Sequence, residues 1–292
     1  MMAGVAILLA SGAAALASSP SATANGQSLT SGNAVSATAP ADIVGMTPGG
    51  AEDGYWLVGA DGGVFAENGA SFEGSVPGLG LHVSNIVGIA SVFSGYWVAG
   101  SDGGVFSFGN APFDGSLPAL GVHVSDIVGI AETSYSSGGT GYTGYLLVGA
   151  DGGVFAFGGA LFEGSIPGNG VHLSDIVGIA PTSDGRGYWL VGADGGVFAF
   201  GDAQYEGSIP GSGIHSSRIV GIAANDNGSG YWLVGADGGV FAFGDAPFHG
   251  SAPGSGVQES NIVGTATFPN DQGYWLVGAG GSVLTFGGLP SD

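Results

Sequence analysis

Residues Gly187 to Ser208 read GYWLVGADGGVFAFGDAQYEGS, and close copies of this stretch recur along the 292-residue chain. Aromatic and β-branched residues fall in short runs separated by glycine and aspartate, the pattern of strands joined by tight turns. No run has a helical period. Asp194-Gly195-Gly196 carries the glycine that a tight turn needs for positive φ, with aspartate as its common companion. The strand-to-helix setting of a dinucleotide or phosphate loop is missing, so this glycine pair is read as a turn.

The tripeptide Ile-Val-Gly marks the period, at Ile43, Ile86, Ile127, Ile176, Ile219 and Ile262, with spacings of 43, 41, 49, 43 and 43 residues. A period in this range signals a repeat architecture. In the fourth unit, four segments have strand character: Ile176 to Ala180, Tyr188 to Ala193, Val197 to Phe200 and Gln204 to Ser208. The first three are apolar at successive positions, which predicts sheets buried on both faces. Gly178 suits an innermost strand whose backbone converges with others on an axis.

The expected fold is therefore all-β, a six-bladed β-propeller of four-stranded antiparallel blades, with repeats starting near residues 42, 85, 126, 175, 218 and 261. A pair of β-trefoils is the rival, but no linker divides the units into threes. The last unit ends after its third segment. Counting back from Asp42 as from Arg218 places SLTSG, Ser28 to Gly32, on QYEGS. An N-terminal strand there is expected to complete the last blade and close the ring, giving one domain over residues 25–292.

There are 63 glycines, no cysteine, no lysine, two arginines (Arg186 and Arg218) and a net charge of -21. Phosphate backbones demand clustered cations, so nucleic acid is excluded as a partner, and an anionic membrane surface equally. With 9% charged and 44% hydrophobic residues the chain is still no disordered acidic tail. An apolar run from Ala3 to Ala17, with Ala-x-Ala sites ending at Ala17 and Ala24, has the form of a secretory signal peptide over residues 1–24. It is too short to span a bilayer, and no other segment reaches that length. A secreted or cell-surface monomer without disulfides is expected.

The units GYWLVGADGGVFAFGDA and DIVGIA resemble a repeat of secreted and cell-surface proteins of actinobacteria, sometimes attached to cell-wall hydrolases or peptidases. The likeness covers roughly residues 42–292 and whole units within it. It implies an extracellular propeller with no established chemistry of its own. The segment order is also similar to NHL and WD-repeat propellers, although no Trp-Asp dipeptide ends the third segment.

Three sets of residues could carry chemistry. His82, His123, His172 and His215 stand three residues before the start of a unit. Each is expected near its own unit's turn aspartate, giving pairs with Asp102, Asp151, Asp194 and Asp237. By resemblance to WD-repeat blades this is a structural link in which both groups are buried and satisfied. A ring of Asp42, Asn85, Asp126, Asp175, Arg218 and Asn261 immediately precedes the innermost segments. Its carboxylates and amides suit Ca²⁺, and Arg218 is the competing counter-ion. No other cofactor is implied. The enlarged loop of the third unit, Glu132 to Gly144, carries Tyr135 and Tyr142 on a glycine- and serine-rich stretch, as recognition surfaces do. The recurrent tryptophans invite sugar stacking, but their apolar strands favour a place in the core.

A sialidase-like site needs a cluster of arginines, and the acids here mostly repeat from unit to unit at turns. The expected function is a non-catalytic binding module at the cell surface or envelope, with a cell-wall glycan or a surface protein as ligand. The alternatives are a structural spacer and, further off, a propeller glycoside hydrolase or lyase.

Overall fold

The structure is a computed structural model that describes residues 42–50, 54–213, 216 and 218–288. The signal segment, the closing strand at Ser28 to Gly32, and His215 lie outside the described residues.

The described chain forms six three-stranded antiparallel sheets. Sheet 1 holds β1 (Ile43–Pro48), β2 (Tyr55–Gly59) and β3 (Val64–Glu67); sheet 2 holds β4 (Ile86–Val92), β5 (Gly95–Gly100) and β6 (Val105–Gly109). Sheet 3 holds β7 (Ile127–Ser137), β8 (Thr140–Gly149) and β9 (Val154–Gly158); sheet 4 holds β10 (Ile176–Pro181), β11 (Gly187–Gly192) and β12 (Val197–Gly201). Sheet 5 holds β13 (Ile219–Ala224), β14 (Gly230–Gly235) and β15 (Val240–Gly244); sheet 6 holds β16 (Ile262–Thr267), β17 (Gly273–Gly278) and β18 (Val283–Gly287).

The sheets stand in a ring. Each first strand packs against the first strands of both neighbours, and β1 against β16 brings the last sheet to the first. A backbone circuit runs with this contact. Ile86 N–H donates to Ala60 O, and Ala60 N–H to Asp42 O. The same two bonds recur at every junction, including the last, where Ile43 N–H donates to Ala279 O at 2.9 Å and Ala279 N–H to Asn261 O at 2.9 Å.

Ile-Val-Gly has a geometric role in this arrangement. In every sheet the register shifts between its isoleucine and glycine, so the valine is the extra residue of a β-bulge. Val128, Val177, Val220 and Val263 consequently line a central cavity of about 470 Å³.

Six cores lie at the six junctions between sheets. In β2, Trp56 and Val58 belong to the core shared with sheet 2, while Tyr55 and Leu57 belong to the core shared with sheet 6. Alternation along a strand thus serves two cores instead of a core and water, which explains why the middle strands are continuously apolar. Every tryptophan meets the tyrosine of the following sheet, from Trp56 with Tyr96 at 5.0 Å round to Trp275 with Tyr55 at 5.6 Å. All five tryptophans are buried, so none is a sugar-stacking platform.

The sheets are three-stranded where four strands were expected. Gln204 to Ser208 and its described counterparts form no ladder. Side chains meet their polar groups instead. Trp189 Nε1 donates to Gln204 O at 2.6 Å, and Tyr231 of the following sheet accepts from Glu206 N at 3.2 Å and donates to Gly207 O at 2.6 Å. Gly207 has φ 133°, and a Cβ there would lie 2.8 Å from the Phe243 ring of the neighbouring sheet. The backbone is thus bent out of strand geometry by the close approach itself.

Candidate functional site

The turn aspartates close their own turns. Oδ1 of Asp61, Asp102, Asp151, Asp194 and Asp237 accepts from the N–H two residues on, at 2.7 to 3.0 Å. The middle glycine has positive φ and lies under the next connecting segment: a Cβ on Gly195 would meet Ile209 at 2.7 Å.

The expected histidine–aspartate links are not formed where they can be seen. His82, His123 and His172 are exposed, and no hydrogen bond joins them to Asp102, Asp151 or Asp194. The aspartates have a nearer donor in the backbone, and histidines on the solvent side gain nothing by burial. The fourth pair, His215 with Asp237, involves a residue outside the described set.

The ring before the first strands is present as a ring of backbone. Carbonyls of Asp42, Asn85, Asp126, Asp175, Arg218 and Asn261 are the acceptors of the junction circuit. Asp175 and Arg218 both border the central cavity. Asp126 Oδ2 lies 3.6 Å from the Cβ position of Gly149, and Asn261 Oδ1 lies 3.4 Å from that of Gly278, each over the end of its own sheet's second strand. Among the described residues there is no group of three acids or histidines that could hold a metal ion. Arg218 makes no ion pair there either; the ion pair among described residues is Arg186 with Asp184 at 3.9 Å, on the surface.

The structure does bring together the two tyrosines of the third unit. What reads as a loop is an extension of β7 and β8, turning at Gly138-Gly139, where both φ angles are positive. Tyr135 and Tyr142 are cross-strand partners whose rings stack at 4.8 Å and 11°. Tyr142 keeps 39% of its surface exposed. Arg186 Nη2 donates to Ser136 O at 3.2 Å, tying the hairpin to sheet 4.

Register assigns the hairpin two faces. Ser134 pairs with Thr143, one step from the tyrosine pair, so these two lie on the opposite face with Glu132. There they line a groove of about 290 Å³ together with Trp56, Ser91 and Phe93. Burial pushes the Glu132 carboxyl above the usual range, with a Ser134 hydrogen bond pulling it partly back. Phe93 is 71% exposed and has φ 51°, at the first central position of the two-residue β4–β5 turn. That position normally goes to glycine. Inspection of the repeats missed this site, because its residues come from three units; an aromatic where other copies carry a polar hairpin tip was the available signal.

A second feature escaped notice because it looked like filler. Phe72, Phe113, Phe162, Tyr205 and Phe248 occupy the same place in five units and remain 48 to 60% exposed. The residue before them varies freely (Ser71, Pro112, Leu161, Gln204 and Pro247), while the residue after them is acidic in four units (Glu73, Asp114, Glu163 and Glu206) and His249 in the fifth, followed in all five by Gly-Ser. The backbone on both sides is fastened. Trp56, Trp97, Trp189 and Trp232 donate to the carbonyl immediately before the aromatic. The next sheet's tyrosine holds the carbonyl two residues after it, in all five units.

One carboxylate pair also forms. Thr182 Oγ1 lies 2.9 Å from Asp184 Oδ1 and 3.3 Å from Asp202 Oδ1. Burial and the Asp184 charge push Asp202 up; burial also works to raise Asp184, but hydrogen bonds, that of Thr182 foremost, outweigh it and hold Asp184 down. A single hydroxyl, that of Thr182, thus bridges the two carboxyls.

Comparison of the chain with protein-family models and with curated proteins finds no match.

Proposed function

We propose that this chain is an exported six-bladed β-propeller that acts without catalysis as a binding module at the cell surface, gripping a repetitive envelope glycan with its rim. Each blade has three paired strands; five outer segments are held by the next sheet's tyrosine and four of these by a tryptophan as well. The segment Ser28 to Gly32 supplies that outer piece for the last blade. Tyr55 supports this reading: it is buried between sheets 6 and 1 and is the counterpart of the five tyrosines that hold the described outer segments. Deleting residues 25–33 then lowers the melting temperature.

The observation that carries the binding role is the row of exposed aromatics. Large apolar side chains on a surface are unexceptional singly, but five at equivalent positions, all left exposed, form a repeated contact surface. Their fastened backbones make them rigid, so little ordering is lost on binding. Several equal weak contacts to a repeating polymer add up through effective concentration. A net charge of -21 turns away polyanions and leaves neutral glycan as the fitting polymer.

Sedimentation with purified cell-wall polysaccharide tests this. Wild-type protein is expected to co-sediment, and a variant with Phe113, Phe162 and Tyr205 all changed to Ser to stay in solution while folded. Equal sedimentation of both removes the rim from the account. A folded wild-type protein that binds neither wall polysaccharide nor surface-protein extract favours the spacer reading.

A further inference from the structure

We infer that the groove between Phe93 and the inner face of the β7–β8 hairpin is a binding site for a single neutral sugar ring. The inference goes beyond the rim, whose aromatics repeat from unit to unit; this groove is assembled from unlike residues of three units.

Four observations point the same way. First, Phe93 puts a bulky side chain at φ 51°, where glycine belongs, and leaves 71% of it in water. Neither the turn nor a core asks for a phenylalanine there. Strain of this kind is kept where a side chain has work to do on a ligand. Second, the ring borders a recess of about 290 Å³, near the lower end of the sizes found for ligand pockets and suited to one ring of a saccharide.

Third, the recess walls offer the polar groups that sugar hydroxyls need. Ser134 and Thr143 face it as cross-strand partners, and Ser91 is held in place by Thr47, whose hydroxyl lies 3.0 Å from Ser91 Oγ and accepts from Ser91 N at 3.0 Å. Fourth, Glu132 brings a half-buried carboxyl with acceptor oxygens, the group that fixes a pair of neighbouring hydroxyls. The lining has no cation, so an anionic sugar finds no partner and would meet Glu132. An apolar face for the C–H side of the ring, hydroxyls and a carboxylate for its edge, and no counter-ion together describe a neutral sugar.

The test uses the full chain and calorimetric titration with cellohexaose, xylohexaose, maltohexaose and chitohexaose, with oligogalacturonate as the anionic comparison. Saturable binding of at least one neutral oligosaccharide and none of oligogalacturonate is expected. Phe93→Gly should weaken that binding by about tenfold or more, the loss of one stacking contact with its burial. Its melting temperature should hold or rise, since glycine relieves the strained turn; a phenylalanine kept for packing would give the reverse. Glu132→Gln should weaken binding as well, and the triple rim variant should leave it unchanged. The inference is overturned if no neutral oligosaccharide saturates the folded protein, or if Phe93→Gly binds as wild type does. Loss of binding in the rim variant alone overturns the groove and leaves the rim reading standing.

Discussion

Gly178 and Gly195 sit 17 residues apart in the same unit and owe their glycines to different causes. Gly195 has φ 80°, and a Cβ there would press on Ile209 at 2.7 Å. Gly178 has ordinary φ, and its Cβ would meet Ile222 and Val191 at 3.5 and 3.6 Å, normal contact distances. Gly195→Ala should therefore cost about 2–5 kcal/mol, from left-handed strain plus overpacking. Gly178→Ala should change stability by less than about 1 kcal/mol, in either direction. Urea unfolding of the two variants checks the contrast. The turn glycine was legible in the sequence with its reason. The axial glycine was legible in place only: backbones do approach there, Gly45 Cβ position to Gly88 Cα being 3.5 Å, yet room for a methyl remains. The histidines show the limit at this scale. Their periodic spacing put them near the turns, but spacing cannot tell which donor an aspartate will choose, and the backbone N–H two residues away is always nearest.

At the scale of the element, the outer segments are fastened by buried tyrosines, and this makes the fold sensitive to alkali. Burial pushes Tyr55, Tyr96, Tyr188, Tyr231 and Tyr274 up to about 12, and Tyr145 higher still. Neighbouring carboxylates, such as Glu67 beside Tyr55 and Asp114 beside Tyr145, add to the shift. A raised acid pKa means that the native state holds protons which the unfolded chain has released. Stability is thus unaffected below the unfolded value near 10 and falls as pH rises from there toward the native values. Each tyrosine contributes a slope of up to about 1.4 kcal/mol per pH unit in that window. Urea unfolding between pH 9 and 12 should show a steep loss beginning near 10, made shallower by Tyr231→Phe; a flat profile would sink the tyrosine-latch account. The strands themselves were readable, because continuous apolar runs punctuated by glycine have few other solutions. The missing fourth strand was not. Its residues have strand character, and only the tyrosine from the next unit and the approach of Gly207 to Phe243 divert it.

For the whole molecule, period and composition were enough to foresee six equal sheets around an axis, since no unit can bury both faces of its middle strand alone. The groove at Phe93 was beyond reach because it is assembled from Trp56, Ser91, Phe93 and Glu132, residues of three units that only the ring brings together. The ring is also what the account stands on. Its closure rests on Ile43 N–H donating to Ala279 O, and on the core that Ile43, Tyr55 and Leu57 share with Trp275 and Val277. Amide hydrogen exchange of Ile43 measures that closure directly. In a closed ring the Ile43 amide exchanges as slowly as those of Ile86, Ile127, Ile176, Ile219 and Ile262, which occupy the same place at the other junctions. In an open array the first sheet has a bare edge, and Ile43 would exchange at the rate of an exposed amide while the other five stay protected.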